Sequence, residues 1–228
     1  MHVHRLPDSG LGPRRPTFRR GRCAWPAPHR QEWEPMNVIL LRHGETEWSK
    51  AGRHTGRTDV PLTPHGEEQA RALSRLVAGR SFAQVLVSPA RRARRTAELA
   101  GAGSYEVDPD LWEWDYGGYE GVTTAAIRES HPGWYVWRDG VVPGDEGHPG
   151  ETVERVGERA DKVLARIRST DGDVLVVAHA HILRVLAARW LGLPPAHGRY
   201  LRLDTGTYSV LGHEHGDEPV LLRWNAPA

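Results

Sequence analysis

The chain has little cysteine, lysine, phenylalanine or methionine. The single cysteine, Cys23, has no partner for an internal disulfide and is too little for a cysteine-based zinc site. Only Lys50 and Lys162 among the 30 basic residues are lysine, which leaves 28 arginines. That ratio reads as a codon bias and not as a nucleic-acid-binding surface, because 29 acidic residues bring the net charge to +1 and no basic stripe stands out. No run of about eighteen apolar residues occurs, so a membrane-spanning helix is excluded. What is there is 228 residues, 39% apolar and 26% charged, enough to bury one sizeable core.

Charge is unevenly spread. Residues 1–36 hold seven arginines against Asp8, Glu32 and Glu34, together with six prolines and no apolar periodicity. Such a composition predicts a disordered extension over 1–36, followed by one folded domain over 37–228. The extension has no apolar centre of a secretory signal, and the expected setting is the cytoplasm. Met36 stands directly before the first apolar run, so translation starting there is the simpler account of the extension.

From Asn37 onward the pattern becomes regular. Val38-Ile39-Leu40-Leu41 reads as a buried strand. Thr63-Pro64 is an N-cap with proline at the first helical position, and Gly79 closes that helix. Residues 84–87 form a second strand, 91–99 a basic helix, 153–168 an amphipathic helix, and 173–178 a third strand leading through His179 into another helix. Residues 200–203, 208–211 and 220–224 read as antiparallel strands at the end of the sheet. Strand–helix alternation implies an α/β class, a three-layer α/β/α arrangement with a mainly parallel central sheet.

In sheets of this kind ligands bind beyond the carboxyl ends of strands. Arg42-His43-Gly44-Glu45-Thr46 follows the first strand, Ser88-Pro89-Ala90-Arg91-Arg92 the second, and His179-Ala180-His181 the third. Histidines and arginines gathered at one sheet edge attract an anion, and phosphate suits the planar, permanently charged guanidinium. The loop Leu111-Trp112-Glu113-Trp114-Asp115-Tyr116-Gly117 adds two carboxylates among aromatics. Alternate histidines 179 and 181 also invite a metal reading, if they lie on one strand face.

These motifs, together with Thr55-Gly56-Arg57-Thr58-Asp59 and Gly117-Gly118-Tyr119-Glu120-Gly121, resemble those of the histidine phosphatase superfamily, the phosphoglycerate mutase-like branch. The loop around Glu113 is most similar to the subgroup of sedoheptulose-1,7-bisphosphatase and actinobacterial acid phosphatases. The resemblance spans about residues 38–212. It implies a phosphatase acting on a small phosphorylated metabolite, of the sugar phosphate or bisphosphate class, through a phosphohistidine. His43 would be the nucleophile, its other ring nitrogen donating to a fixed acceptor such as a backbone carbonyl. Arg42, Arg92 and His179 would hold the transferring phosphoryl group, His179 as a protonated ring. Glu113 would be the proton donor, its pKa raised by the flanking Trp112 and Trp114.

Ser49, Thr55, Gly56 and Ala180 match positions that line the substrate pocket, although Ser49 and Ala180 depart from the residues usual there. Asp115 and Glu120 compete with Glu113, and Arg91, Arg94 and Arg95 with Arg92. Gly150-Glu151-Thr152 resembles a feature near the substrate lid, but an acid at a helix start is equally explained by the macrodipole. No metal and no cofactor are implied, nor a nucleic-acid or membrane partner; a homodimer is left open. Two rivals stand beside hydrolysis: mutase-type phosphoryl transfer and non-catalytic phosphate binding. The segment between Glu113 and His179 is too short for the longer lid insertion of the mutases, and an open lid admits water.

Overall fold

The computed structural model describes residues 36–228, so the extension expected over 1–36 falls almost wholly outside the described residues. The chain begins with β1 (Val38–Arg42), a single-turn α1 (Glu47–Lys50), and the pair α2 (Pro64–Ala72) and α3 (Ser74–Val77). It continues through β2 (Gln84–Val87), α4 (Arg91–Leu99) and the two-residue β3 (Glu106–Val107). Short helices α5 (Thr124–Ser130) and α6 (Val136–Asp139) precede the long α7 (Val153–Arg168). Strand β4 (Val174–Ala178) runs into α8 (Ala180–Trp190), and the hairpin β5 (Tyr208–Glu214) and β6 (Glu218–Ala226) ends the chain.

Six strands form one sheet in the order β3-β2-β4-β1-β5-β6. The first four are mutually parallel, and β5 and β6 add antiparallel. Strand alternation splits the buried residues into two cores. Val38, Leu40, Leu86, Val174 and Val176 face one side, where α7 and α8 pack with Trp114, Trp137 and Trp190. Ile39, Leu41, Val85, Val87, Leu175 and Val177 face the other, against Leu73 and Val77 and the alanines of α4. Helices on both faces of a mainly parallel sheet make the α/β/α sandwich expected from the alternating pattern.

Local chemistry sets the boundaries. Thr63 caps α2, its hydroxyl accepting the Gly66 N–H at 3.0 Å, with Pro64 at the first helical position. The expected single helix from 64 to Gly79 breaks at Leu73, where the chain starts a second short helix, and Gly79 takes its turn at φ +75°. Residues 200–203 are not a strand. They follow a 3₁₀ turn over Pro195–Tyr200, and β6 already covers β5. The Arg202 and Leu203 carbonyls are taken instead by the side chains of Trp224 and Arg42. Among the described residues no helix is long and apolar enough to cross a membrane.

Candidate active site

Three adjacent strand ends, of β2, β4 and β1, deliver the basic residues to one place. The ladder continues one step past β1, where the His43 N–H donates to the Ala178 carbonyl at 3.0 Å. The chain then turns sharply through Gly44. A methyl group on Gly44 would lie 2.1 Å from the Gly66 carbonyl oxygen, and one on Gly66 would lie 2.1 Å from the Glu45 carbonyl oxygen. Two glycines thus pack backbone against backbone beneath His43.

The His43 ring is buried, and its Nδ1 lies 2.7 Å from the Gly44 carbonyl. A carbonyl only accepts, so Nδ1 carries the hydrogen and Nε2 the lone pair. Burial first, then the Arg92 and Arg42 guanidiniums, hold the ring well below the ordinary histidine pKa. His43 is therefore neutral at neutral pH. The His179 ring sits beside it, centroids 5.0 Å apart and edge-on.

His179 departs from expectation. Its Nδ1 accepts the Arg92 Nε–H at 3.1 Å and its Nε2 faces the Ser88 hydroxyl at 2.7 Å. A nitrogen that accepts from arginine bears no proton, and burial, with the Arg92 charge second, keeps the ring well below its usual pKa. The ring expected to be protonated is neutral. Arg92 is fully buried, unlike the exposed Arg91, Arg94 and Arg95. Its guanidinium donates to the Thr58, Thr55 and Gly56 carbonyls as well as to His179. Of its five N–H groups, that leaves one uncommitted on Nη1. Arg42 binds the Leu203 carbonyl through Nη1, while its buried Nε has no partner.

Glu113 also corrects an expectation. Helix α8 has no cap from its own N-cap residue, His179, and the Glu113 carboxylate takes that place. It accepts the N–H groups of Ile182 at 2.9 Å, His181 at 3.0 Å and Trp114 at 3.0 Å. Burial alone would raise its pKa, but the His181 side chain foremost, with the His179 ring and the His181 N–H behind it, holds it well below the carboxylate range. Glu113 is ionised, and the flanking tryptophans do not reverse that. Its competitors stand elsewhere: Asp115 accepts from Gly117, and Glu120 accepts the Gly56 and Thr58 N–H groups.

A pocket of about 200 Å³ opens over these groups, lined by Arg42, His43, Ser49, Thr55, Glu113 and Ala180 from the expected set. Arg92, His179 and Gly56 are not among the groups that line it, although the His179 ring sits beside that of His43 and the Gly56 N–H donates to Glu120. The pocket also takes Gly52, Arg53 and His54, which the motifs did not single out, together with Tyr116 and His181 from the motifs at 111–117 and 179–181. His181 follows the start of α8, so its ring swings away from His179 to meet the Tyr116 hydroxyl at 2.7 Å, and the two histidines do not share a face. Among the described residues no three histidine, cysteine or acidic side chains are grouped to hold a metal. His54 packs between Tyr116 and Trp134, and burial, with His181 second, lowers its pKa to about 4. Adjacency to Thr55-Gly56 was the one sequence signal for His54.

A parallel sheet with arginine, histidine and carboxylate converging beyond its central strands is the frame of an anion-handling α/β enzyme. The model of the histidine phosphatase superfamily, branch 1, matches residues 38–227, and the chain belongs to that family. It is 44% identical over 183 residues to an acid phosphatase of Mycobacterium tuberculosis, covering 78% of this chain and 87% of that one. Over 188 residues it is 37% identical to the sedoheptulose 1,7-bisphosphatase of Saccharomyces cerevisiae, covering 68% and 67%. The solved structure of an open reading frame product from Mycobacterium tuberculosis superposes with a TM-score of 0.77 at 41% identity, covering 84% of this chain and 98% of the other. The protein is a phosphatase of this superfamily.

Proposed function

We propose that the protein hydrolyses a small phosphorylated metabolite in the cytoplasm, with His43 carrying the phosphoryl group between two displacements. The observation that carries this reading is the tautomer of His43: Nδ1–H is fixed on the Gly44 carbonyl, so the Nε2 lone pair is free to attack phosphorus. Arg42, the remaining Arg92 N–H and His179 surround the position of the transferring oxygens, where charge spreads in the transition state.

The proton inventory follows from the neutral histidines and ionised Glu113. The phosphoester enters with one proton, as its monoanion. Nε2 forms a bond to phosphorus while the bridging P–O bond breaks, and Glu113 passes that proton to the departing oxygen. Water then attacks phosphorus, the P–N bond breaks back to Nε2, and Glu113 takes and returns the water's proton, releasing dihydrogen phosphate. The rest of the pocket supports a sugar phosphate or bisphosphate. Ser49, neutral His54, Thr55, Tyr116 and His181 present uncharged hydrogen-bonding groups suited to hydroxyls, with the exposed Arg53 as the added cation. The name of one curated relative, a sedoheptulose 1,7-bisphosphatase, falls in this class.

The test is rapid acid-free quenching of enzyme turning over a phosphorus-labelled sugar phosphate, followed by peptide mapping. Label is expected on His43; label on another residue, or none during a measurable burst, would sink the proposal. A panel of sugar phosphates, phosphoglycerates, nucleotides and phosphoserine, read as phosphate release, ranks the substrates, and isomerised phosphoglycerate without phosphate release would favour the mutase reading.

A further inference from the structure

Glu113 belongs to neither a helix nor a strand. It lies in the loop between 3₁₀ turns at Pro109–Leu111 and Gly117–Tyr119, yet its carboxylate must stay fixed against both α8 and the pocket. An ion pair on the far side of that loop holds it. Arg159, on α7, donates Nε and Nη2 to the two carboxylate oxygens of Glu151 at 2.8 Å each. The same guanidinium donates Nη1 to the carbonyls of Asp110 at 2.6 Å and Trp112 at 2.8 Å, and Nη2 to that of Glu113 at 3.4 Å.

Glu151 completes the grip. Its carboxylate accepts the Asp115 N–H at 3.0 Å, its own N–H donates to the Asp115 carbonyl at 3.0 Å, and its carbonyl accepts the Trp114 indole at 2.9 Å. Five of the six residues from 110 to 115 are therefore tied to one pair whose side chains are only 12% and 11% exposed. A forked, pre-organised guanidinium is the group that can meet a carboxylate and several carbonyls at once, and lysine cannot. Neither Arg159 nor Glu151 lines the pocket.

We infer that Arg159 and Glu151 are positioning residues that set the Glu113 carboxylate for proton transfer to the leaving group. The inference rests on the proposed role of Glu113 as the proton carrier. A carboxylate displaced by about 1 Å costs up to roughly a hundredfold in a step that needs it, and nothing in a step that does not. The leaving group separates the two cases. An alkoxide needs its proton, whereas p-nitrophenolate departs without one.

The experiment measures the single-turnover rate of alcohol or phenol release, which precedes the attack of water, and its half-saturation concentration, for wild type, Glu113→Gln, Glu151→Gln, Arg159→Lys and Arg159→Ala with glycerol phosphate and with p-nitrophenyl phosphate. Glu151→Gln and Arg159→Lys are expected to lower that rate on glycerol phosphate about tenfold, and Arg159→Ala about a hundredfold, with half-saturation within about twofold and p-nitrophenol release within about threefold. The limb of the pH profile that depends on Glu113 should shift in the same variants. Should Arg159→Ala fail to fold, the two conservative variants decide. Equal losses on both substrates, or no loss while Glu113→Gln discriminates between them, would overturn the inference. Absence of leaving-group discrimination by Glu113→Gln itself would instead overturn the role of Glu113.

Discussion

Sulfate binding to the pocket should weaken about tenfold for each unit of rising pH near neutrality, because the protein must take up a proton to hold a dianion that brings none. The proton's destination is His179 Nδ1, once the Arg92 Nε–H has released it. That atom accepts from Arg92, and the ring is surrounded by Arg92, Arg42, His43, Glu113 and the Ser88 hydroxyl, whose sum with burial keeps it neutral. Each unit of negative charge at about 4 Å stabilises an imidazolium by on the order of 4 kcal/mol at an effective dielectric of about 20, which is about three pKa units. A dianion thus raises the ring's pKa from its lowered value, toward protonation in the complex. The sign follows: free protein neutral, complex protonated, one proton taken up, and affinity falling as pH rises between the two values. Each pH unit corresponds to about 1.4 kcal/mol. Calorimetric titration with sulfate between pH 6 and 8, in buffers of different ionisation heat, counts the proton. About one is expected in wild type and near zero in His179→Gln. A flat affinity in wild type would refute the reasoning, and so would uptake that disappears in His43→Ala while surviving in His179→Gln.

Gly44→Ala should unfold the site at its base, since the new methyl meets the Gly66 carbonyl at 2.1 Å and both partners are backbone. A cost of about 3 kcal/mol or more is expected, lowering Tm by roughly 6–12 °C in thermal unfolding, with an unchanged Tm as the contrary result. Phosphatase activity should survive excess EDTA, as every step above is assigned to protein groups; loss that added metal restores would require a metal step.

The apolar runs at 38–41, 84–87 and 174–178 made the parallel half of the sheet legible, because each residue's burial depends on its own side chain. Strand β3, with two exposed residues, carries no such signal, and the misread 200–203 shows that an extended apolar stretch does not say who accepts its hydrogen bonds. The site divides in the same way. Arg42 and His43 were readable from their place after a strand. The charge state of Glu113 was not, since its donors come from residues 181 and 182, and local tryptophans suggested the opposite shift. His54, Tyr116 and His181 come from three separate segments and meet only when the sheet is formed.

Strand β1 leads to His43, and both of its neighbours lie more than a hundred residues further along. Val38 meets Val174 on one edge and Leu211 on the other. During synthesis β1 therefore emerges with Leu73, Val77 and the alanines of α4 able to cover one of its faces, but with neither pairing strand until residues 174–178 and 208–214 have been made. Pairings this remote fold slowly and leave hydrophobic edges open to neighbouring chains. A product that stops short of β4 would contain His43 with no paired strand on either side of β1.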